Sequence, residues 1–274
     1  MFECVVNVSE GRNGAVLETL ANASGPSLRD RHADPVHHRS VFTLINERSA
    51  LVADARQLVA TALNLVDLRL HVGVHPRRGA VDVVPFVALD GERPADACEL
   101  RDETAHWIAT ELATPVVRYG PLADGITRTL PDVRRALARG AAPDEGPPAR
   151  PERGVVAVGC RPVLVAWNLW LRGVSMEQAR ALAQLVRGPY VRSLAFDLGD
   201  YVQVSCNLLQ PLDVGPSIVY DLVSEQLPTG ATMRAELVGL IPEALLARED
   251  RARWSDLAIG PDVTIERRLR AAWT

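Results

Sequence analysis

The 274-residue chain contains no lysine. All 30 of its basic residues are therefore arginine, which excludes Schiff-base and P-loop-lysine chemistry before any motif is read. Every cationic task falls to a permanently charged planar fork suited to carboxylates and phosphates. Cysteine is scarce. Cys4, Cys98, Cys160 and Cys206 lack CxxC spacing, which argues against a zinc ribbon or a dense disulfide framework, and they read as buried, reduced thiols. No apolar run approaches the roughly 18 residues that cross a bilayer, and Phe2-Glu3-Cys4-Val5-Val6 opens the chain without a basic stretch or a long apolar one. A net charge of -4 offers no coat for nucleic acid. These absences lead to the expectation of a cytoplasmic protein whose partners are small molecules, neither membrane nor nucleic acid.

What is present is a globular composition, 47% apolar and 23% charged, over a length that suits two domains. Residues 139–153, rich in proline, glycine and charge, read as a linker, so the expected domains are 1–145 and 154–274. Before it, strands are expected at 2–8, 28–34, 39–46, 81–89 and 116–119, with helices at 14–23, 49–65 (Ser49 as N-cap) and 95–112. After it, strands at 163–171, 191–197, 201–208 and 233–238 alternate with helices at 176–186 and 214–226. Both halves carry the βαββαβ order. The expected fold class is α/β (α+β), two ferredoxin-like subdomains with helices outside and sheets facing an interdomain groove. Small-molecule sites favour such junctions.

Five of the six histidines fall in two loop-prone segments: His32, His37 and His38 in one, His71 and His75 in the other. Three readings compete. As structural residues they are surface or satisfied core imidazoles. As metal ligands, His71 and His75 have the i, i+4 spacing of zinc hydrolases, but Gly73 lies between them and Pro76 follows, which opposes the required helix. His32, His37 and Asp82 are the imaginable further ligands. As a proton shuttle, an imidazole titrates near neutral pH, and His75, in a constrained loop ahead of a strand, is the best-placed candidate. Asp82 or Asp30 would orient it. Arg39, Arg77 and Arg78 would supply positive charge to carboxylates.

Several segments carry a resemblance. Residues 3–12 (ECVVNVSEGR), 38–43 (HRSVFT), 166–169 (AWNL), 203–208 (QVSCNL) and 236–242 (ELVGLIP), and above all 75–86 (HPRRGAVDVVPF), are similar to the glutamate formimidoyltransferase family. The matches run in order over nearly the whole chain. The resemblance implies an electropositive groove, a homodimer, no fused cyclodeaminase domain, and transfer of a formimino group from N-formimidoyl-L-glutamate to N5 of tetrahydrofolate in histidine breakdown. Tetrahydrofolate is then a co-substrate, and no metal is required. It implies His75 as the general acid/base, with Asp82 as orienting acid or strand-end anchor. Arg12, Arg39 and Arg77 become carboxylate candidates, and Asn7, Asn168 and Asn207 candidates for amide or pterin edges. His32, His38, Gly79 and Glu236 complete the expected binding set. Val6, Val8, His38 and Arg78 depart from the family pattern, where Pro, Phe, Asn and Met are usual. These departures leave open a different acceptor, formyl transfer, or a folate- or carboxylate-binding protein without transfer.

Overall fold

A computed structural model of the chain describes residues 1–74 and 77–271. Two units divide it, Met1–Pro162 and Val163–Thr274.

Period-two alternation builds the first strand, β1 (Phe2–Val8): Phe2, Cys4, Val6 and Val8 enter the core and Glu3, Val5 and Asn7 take the other face. Helix α1 (Gly14–Ala23) starts where the Asn13 side chain accepts from the N–H groups of Ala15 and Val16. Strands β2 (Leu28–Asp34) and β3 (Arg39–Asn46) form a hairpin. Helix α2 (Arg48–Leu65) buries Leu51, Ala55, Leu58, Val59 and Ala62. Its cap position is Glu47, with no side-chain bond, so the expected cap Ser49 lies inside the first turn. Strand β4 (Val81–Ala88) completes an antiparallel order β2-β3-β1-β4, the ferredoxin-like arrangement.

The first unit then outgrows that pattern. Helix α3 (Pro94–Glu111), β5 (Val116–Pro121), the short β6 (Thr127–Arg128), α4 (Leu130–Ala138) and β7 (Val156–Cys160) extend the sheet to β2-β3-β1-β4-β7-β5-β6. Strand β7, absent from the sequence-based expectation, lies parallel between β4 and β5. The expected linker is a bracket rather than a tether. Asp144 accepts the Arg118 N–H at 2.6 Å and pairs with Arg128, while Glu145 accepts Val116 N–H on its carbonyl and pairs through its carboxylate with Arg118 and His106. The stretch beginning at residue 154, expected to open the second domain, thus contributes β7 to the first sheet. Helix α4 also packs Val133 against Val83, Val117, Tyr119 and Ala157, on the face opposite α1, α2 and α3. Helices therefore cover parts of both faces in this unit.

The reading of four reduced thiols is corrected for one pair. Cys98 on α3 and Cys160 at the end of β7 form a disulfide, and Cys4 and Cys206 are the free, buried cysteines. Their 62-residue separation concealed the partnership, because only insertion of β7 beneath α3 brings the two side chains together.

In the second unit the expected order stands without insertions: β8 (Val165–Arg172), α5 (Met176–Val186), β9 (Val191–Asp197), β10 (Val202–Leu208), α6 (Pro216–Ser224) and β11 (Thr232–Val238). The antiparallel sheet runs β11-β8-β10-β9, again ferredoxin-like. A Ser175/Gln178 capping box starts α5. Val165, Trp167, Leu169 and Leu171 point into the helix-covered core, where the Trp167 indole donates to the Leu257 carbonyl at 2.8 Å. Two short helices, α7 (Glu243–Leu246) and α8 (Ile265–Ala271), follow. Among the described residues, no helix is long and apolar enough to cross a membrane.

Candidate functional site

Three segments converge at one end of the first sheet: the turn after β1, the turn joining β2 to β3, and the segment leading into β4. Glu10 is the hub of the first turn. It accepts the N–H groups of Arg12 at 2.7 Å and Asn13 at 3.0 Å, and it faces His38 Nε2 at 3.1 Å. Burial opposes its ionisation, yet these donors and the His38 charge outweigh burial and hold the carboxyl below the usual glutamate range. Arg12 donates from Nε to the Pro35 carbonyl at 2.7 Å, tying the first turn to the second. Within the second turn, Asp34 accepts from the N–H groups of Val36 and His37, both at 2.8 Å. Gly11 is required by proximity: a Cβ there would lie 2.3 Å from the Asp34 carbonyl oxygen and 2.6 Å from Arg39 N.

The segment before β4 rests on the same turn. The rings of His38 and His71 stack at 3.9 Å between centroids, with 21° between planes. His71 Nε2 meets the His38 carbonyl at 2.7 Å, and a Cβ on Gly73 would lie 2.5 Å from the His37 carbonyl oxygen. Burial lowers the affinity of the His71 imidazole for a second proton, the bond to the His38 carbonyl opposes that, and the charges of Arg77 and His38 lower it further. Burial likewise lowers the Arg77 guanidinium, against the pull of Asp82 and together with repulsion by Arg12.

Of the two expected catalytic residues, His75 lies outside the described residues, with Pro76. Asp82 is buried at 4% exposure, accepts the Arg78 N–H at 2.8 Å and pairs with the Arg134 guanidinium of α4. Those contacts make it an anchor of the strand end. Gly79 is a position of backbone contact. Its carbonyl accepts the Ser9 hydroxyl at 2.8 Å, and a Cβ would lie 2.4 Å from the Val81 carbonyl oxygen.

Strand register aligns other candidates. His32 opposes Val41, Val41 opposes Asn7 and Asn7 opposes Val83, so His32 and Asn7 share one row on the face opposite α1–α3. Asn7 Nδ2 donates to the Val5 carbonyl at 3.1 Å. Arg39 opposes Asp34 at the end of that face. Among the described residues, no three His, Cys, Asp or Glu side chains gather as a metal-binding set.

In the second unit, Asn168 and Glu236 meet on the sheet face away from the helices. Glu236 Oε2 accepts Asn168 Nδ2 at 2.9 Å, the Trp170 indole N–H at 2.8 Å and Gln203 Nε2 at 3.5 Å. The Arg234 guanidinium lies 4.4 Å from the centre of the Trp170 ring, a cation–π contact. Asn207 is exposed on the same face, opposite Ala166 and Arg192. Trp170, Gln203 and Arg234 were not among the sequence-derived candidates. Trp170 is two residues beyond Asn168 and so shares its face, whereas Gln203 and Arg234 are connected to it only by pairing register. Glu10, His71 and Arg134 were also missed as site-organising residues, because their partners lie 28 to 52 positions away.

An α/β protein with two ferredoxin-like sheets and a loop cluster rich in arginine and histidine is the class so defined. Residues 1–161 match the formiminotransferase domain, N-terminal subdomain. Over 271 residues the chain is 30% identical to the glutamate formimidoyltransferase of Thermoplasma acidophilum, covering 90% of this chain and 89% of that one. It is 34% identical over 231 residues to the glutamate formimidoyltransferase of Streptococcus pyogenes serotype M1, covering 76% and 77%. Against the formimidoyltransferase-cyclodeaminase of Rattus norvegicus it is 32% identical over 279 residues, covering 90% of this chain and 51% of that longer one. The chain belongs to the formiminotransferase family, and it is an enzyme that transfers one-carbon formimino groups.

Proposed function

We propose that this enzyme moves the formimino group of N-formimidoyl-L-glutamate to N5 of tetrahydrofolate, as a step in histidine breakdown. The observation that carries the reading is similarity along most of the chain to two proteins named glutamate formimidoyltransferase. The arginine content of the loop cluster supports it. Arg12, Arg39 and Arg77 supply guanidinium groups to the turns and strand ends there, and both substrates carry glutamate carboxylates that such forks bind in bidentate fashion. Tetrahydrofolate enters as a co-substrate, and no metal is invoked.

In this reading His75 is the proton carrier. As N5 bonds to the formimino carbon, His75 takes the N5 proton. The bond from that carbon to the glutamate nitrogen then breaks, and His75 returns the proton to the departing nitrogen. Asp82, anchored by Arg134 and by Arg78 N–H, fixes the start of β4 and hence the end of the loop bearing His75. Asn7, His32 and Gly79 in the first unit, and Asn168, Asn207 and Glu236 in the second, remain the proposed substrate contacts. A cytoplasmic homodimer is part of the proposal.

The test is turnover by purified protein given tetrahydrofolate and formiminoglutamate, followed by the absorbance of the formimino-folate product. Stoichiometric release of glutamate is expected. Product from formylglutamate, with none from formiminoglutamate, would sink the donor assignment.

A further inference from the structure

The sheet face of the second unit that lies away from its helices carries a cation left unpaired by its surroundings. Register sets Arg234 of β11 opposite Trp170 of β8, and Trp170 opposite Gln203 of β10. Met233, Ala235 and Leu237 pack toward the helix-covered core, so alternation puts Arg234 and Glu236 on the other face. Strand β11 stands at the end of the sheet order beside β8, and the exposed Arg234 side chain folds inward over that neighbour. Its guanidinium carbon lies 4.4 Å from the centre of the Trp170 ring and 6.0 Å from that of Tyr201. The platform beneath it is itself held. The Trp170 indole N–H donates to Glu236 Oε2 at 2.8 Å, and the Trp170 and Tyr201 rings meet in a T-shaped contact, with 5.9 Å between centroids and 77° between planes.

Stacking on a ring engages the flat side of a guanidinium and leaves its in-plane donors unused. Among the described residues, no acceptor takes an Arg234 N–H and no carboxylate pairs with it; its polar contacts are those with the two rings. Glu236, two residues along the same face, is the nearest partner by sequence. Its Oε2 collects the donors of Asn168, Trp170 and Gln203 instead. An arginine that only covered an apolar ring would lay its methylene stem there and keep its charged head in water, whereas here the head itself sits on the ring. A fixed ring therefore presents a planar fork with an open edge, the arrangement that two parallel N–H···O bonds to a carboxylate require. The Glu236 charge nearby selects among anions. It repels a doubly charged phosphate about twice as strongly as a singly charged carboxylate at the same distance.

We propose that Arg234, stacked on Trp170, is a carboxylate-binding site on this face of the second unit, and that the carboxylate it takes belongs to a glutamyl group. The edge of the guanidinium donates two N–H groups to the two carboxylate oxygens. Trp170 and Tyr201 hold the plane of the fork, and Glu236 keeps the indole from turning by accepting its N–H. Arg234 is thereby a specificity-determining residue, favouring a glutamyl carboxylate over the uncharged amide of the same shape. The site follows from the geometry. Its glutamyl ligand rests on the formimino-transfer reading above, in which donor and acceptor both carry such a group.

The test changes the charge on the protein and on the ligand together, using the full chain. In Arg234→Gln, KM for formiminoglutamate, for tetrahydrofolate or for both should rise about tenfold, with kcat within about twofold. Arg234→Lys, which keeps the charge and loses the fork, should fall between that variant and the wild type. The glutamyl carboxylates of the affected substrate are then replaced by carboxamide one at a time. One replacement should cost the wild type about tenfold in KM and cost Arg234→Gln less than about twofold, a coupling that a merely structural role would not produce. Binding is read apart from turnover by calorimetric titration with L-glutamate and with inorganic phosphate, and L-glutamate should bind the wild type about tenfold more tightly than Arg234→Gln. Unchanged KM for both substrates in Arg234→Gln, or equal amide penalties in the two proteins, overturns the site. Phosphate binding that depends on Arg234 as steeply as glutamate binding does overturns the choice of a carboxylate. If L-glutamate binding falls in Arg234→Gln while the wild type turns over no formiminoglutamate, the site stands and the transfer reading fails.

Discussion

The two units share one wiring and differ in what surrounds it. Each threads βαββαβ into a sheet ordered fourth, first, third, second strand, and each buries the alternate residues of its central strands against helices. The second unit stops there. On the face of its sheet away from the helices, one oxygen of Glu236 collects donors from Asn168, Trp170 and Gln203. The first unit adds three strands, two helices, a disulfide and a bracket of ion pairs, and it gathers its charged groups in turns at a strand end. All six histidines of the chain belong to it. Strands and helices supply a rigid base, while turns present N–H groups and side chains that a ladder has not consumed. The imidazoles are thus concentrated in the elaborated copy.

That contrast can be broken most directly at His75. His75→Ala should reduce kcat by about 10²–10⁴-fold with folate binding preserved, measured by steady-state turnover and by equilibrium binding. Unchanged turnover would move the proton chemistry elsewhere. The disulfide comes next. Removing it by Cys98→Ser with Cys160→Ser should cost the first unit about 2–4 kcal/mol in urea unfolding, since it cross-links positions 62 residues apart. A loss confined to the second unit would contradict that assignment. In the second unit, Glu236→Ala withdraws the common acceptor from three donors and should cost about 1–3 kcal/mol, with Glu236→Gln costing less. Equal losses in both would show that the accepting oxygen is not the source of the effect.

The smallest expected effect is that of acid. The depressed Glu10 carboxyl contributes stability that is present above the ordinary glutamate value of about 4.3 and lost as pH falls through its lower folded value. The depressed His71 imidazole contributes in the same direction at higher pH. Its contribution is present above about 6.5 and lost as pH falls toward the folded value, because the unfolded chain binds the extra proton first. Hydrogen exchange between pH 7 and 4 should therefore accelerate in the turns around residues 10, 38 and 71 before it does in β8 and β10. The reverse order would remove the distinction.

Much of the architecture was legible along the chain, for local reasons. The βαββαβ run that opens each half, the helix at Met176–Val186 and the strand at Val191–Asp197 follow from alternation, helical spacing and a Ser/Gln capping box, each acting within a few residues. The arginine and histidine segments also stood out by density. Strand β7 went unread although its VAVGC run is uniformly buried, because it follows a stretch of prolines and glycines that resembles an inter-domain tether. The hub residues were harder still. Nothing near Glu10 in sequence predicts His38, and nothing near Asp82 predicts Arg134.

Residue order by itself determined the βαββαβ elements of each half, the exclusion of lysine chemistry and the family resemblance. Tertiary structure decided that β7 slots between β4 and β5, that Cys98 meets Cys160, and that His38 faces two acceptors rather than one. The physical reason is range. Propensity, capping and alternation are settled by neighbours a few positions apart, whereas pairing partners and shared acceptors depend on which distant groups the assembled sheet brings within hydrogen-bond distance.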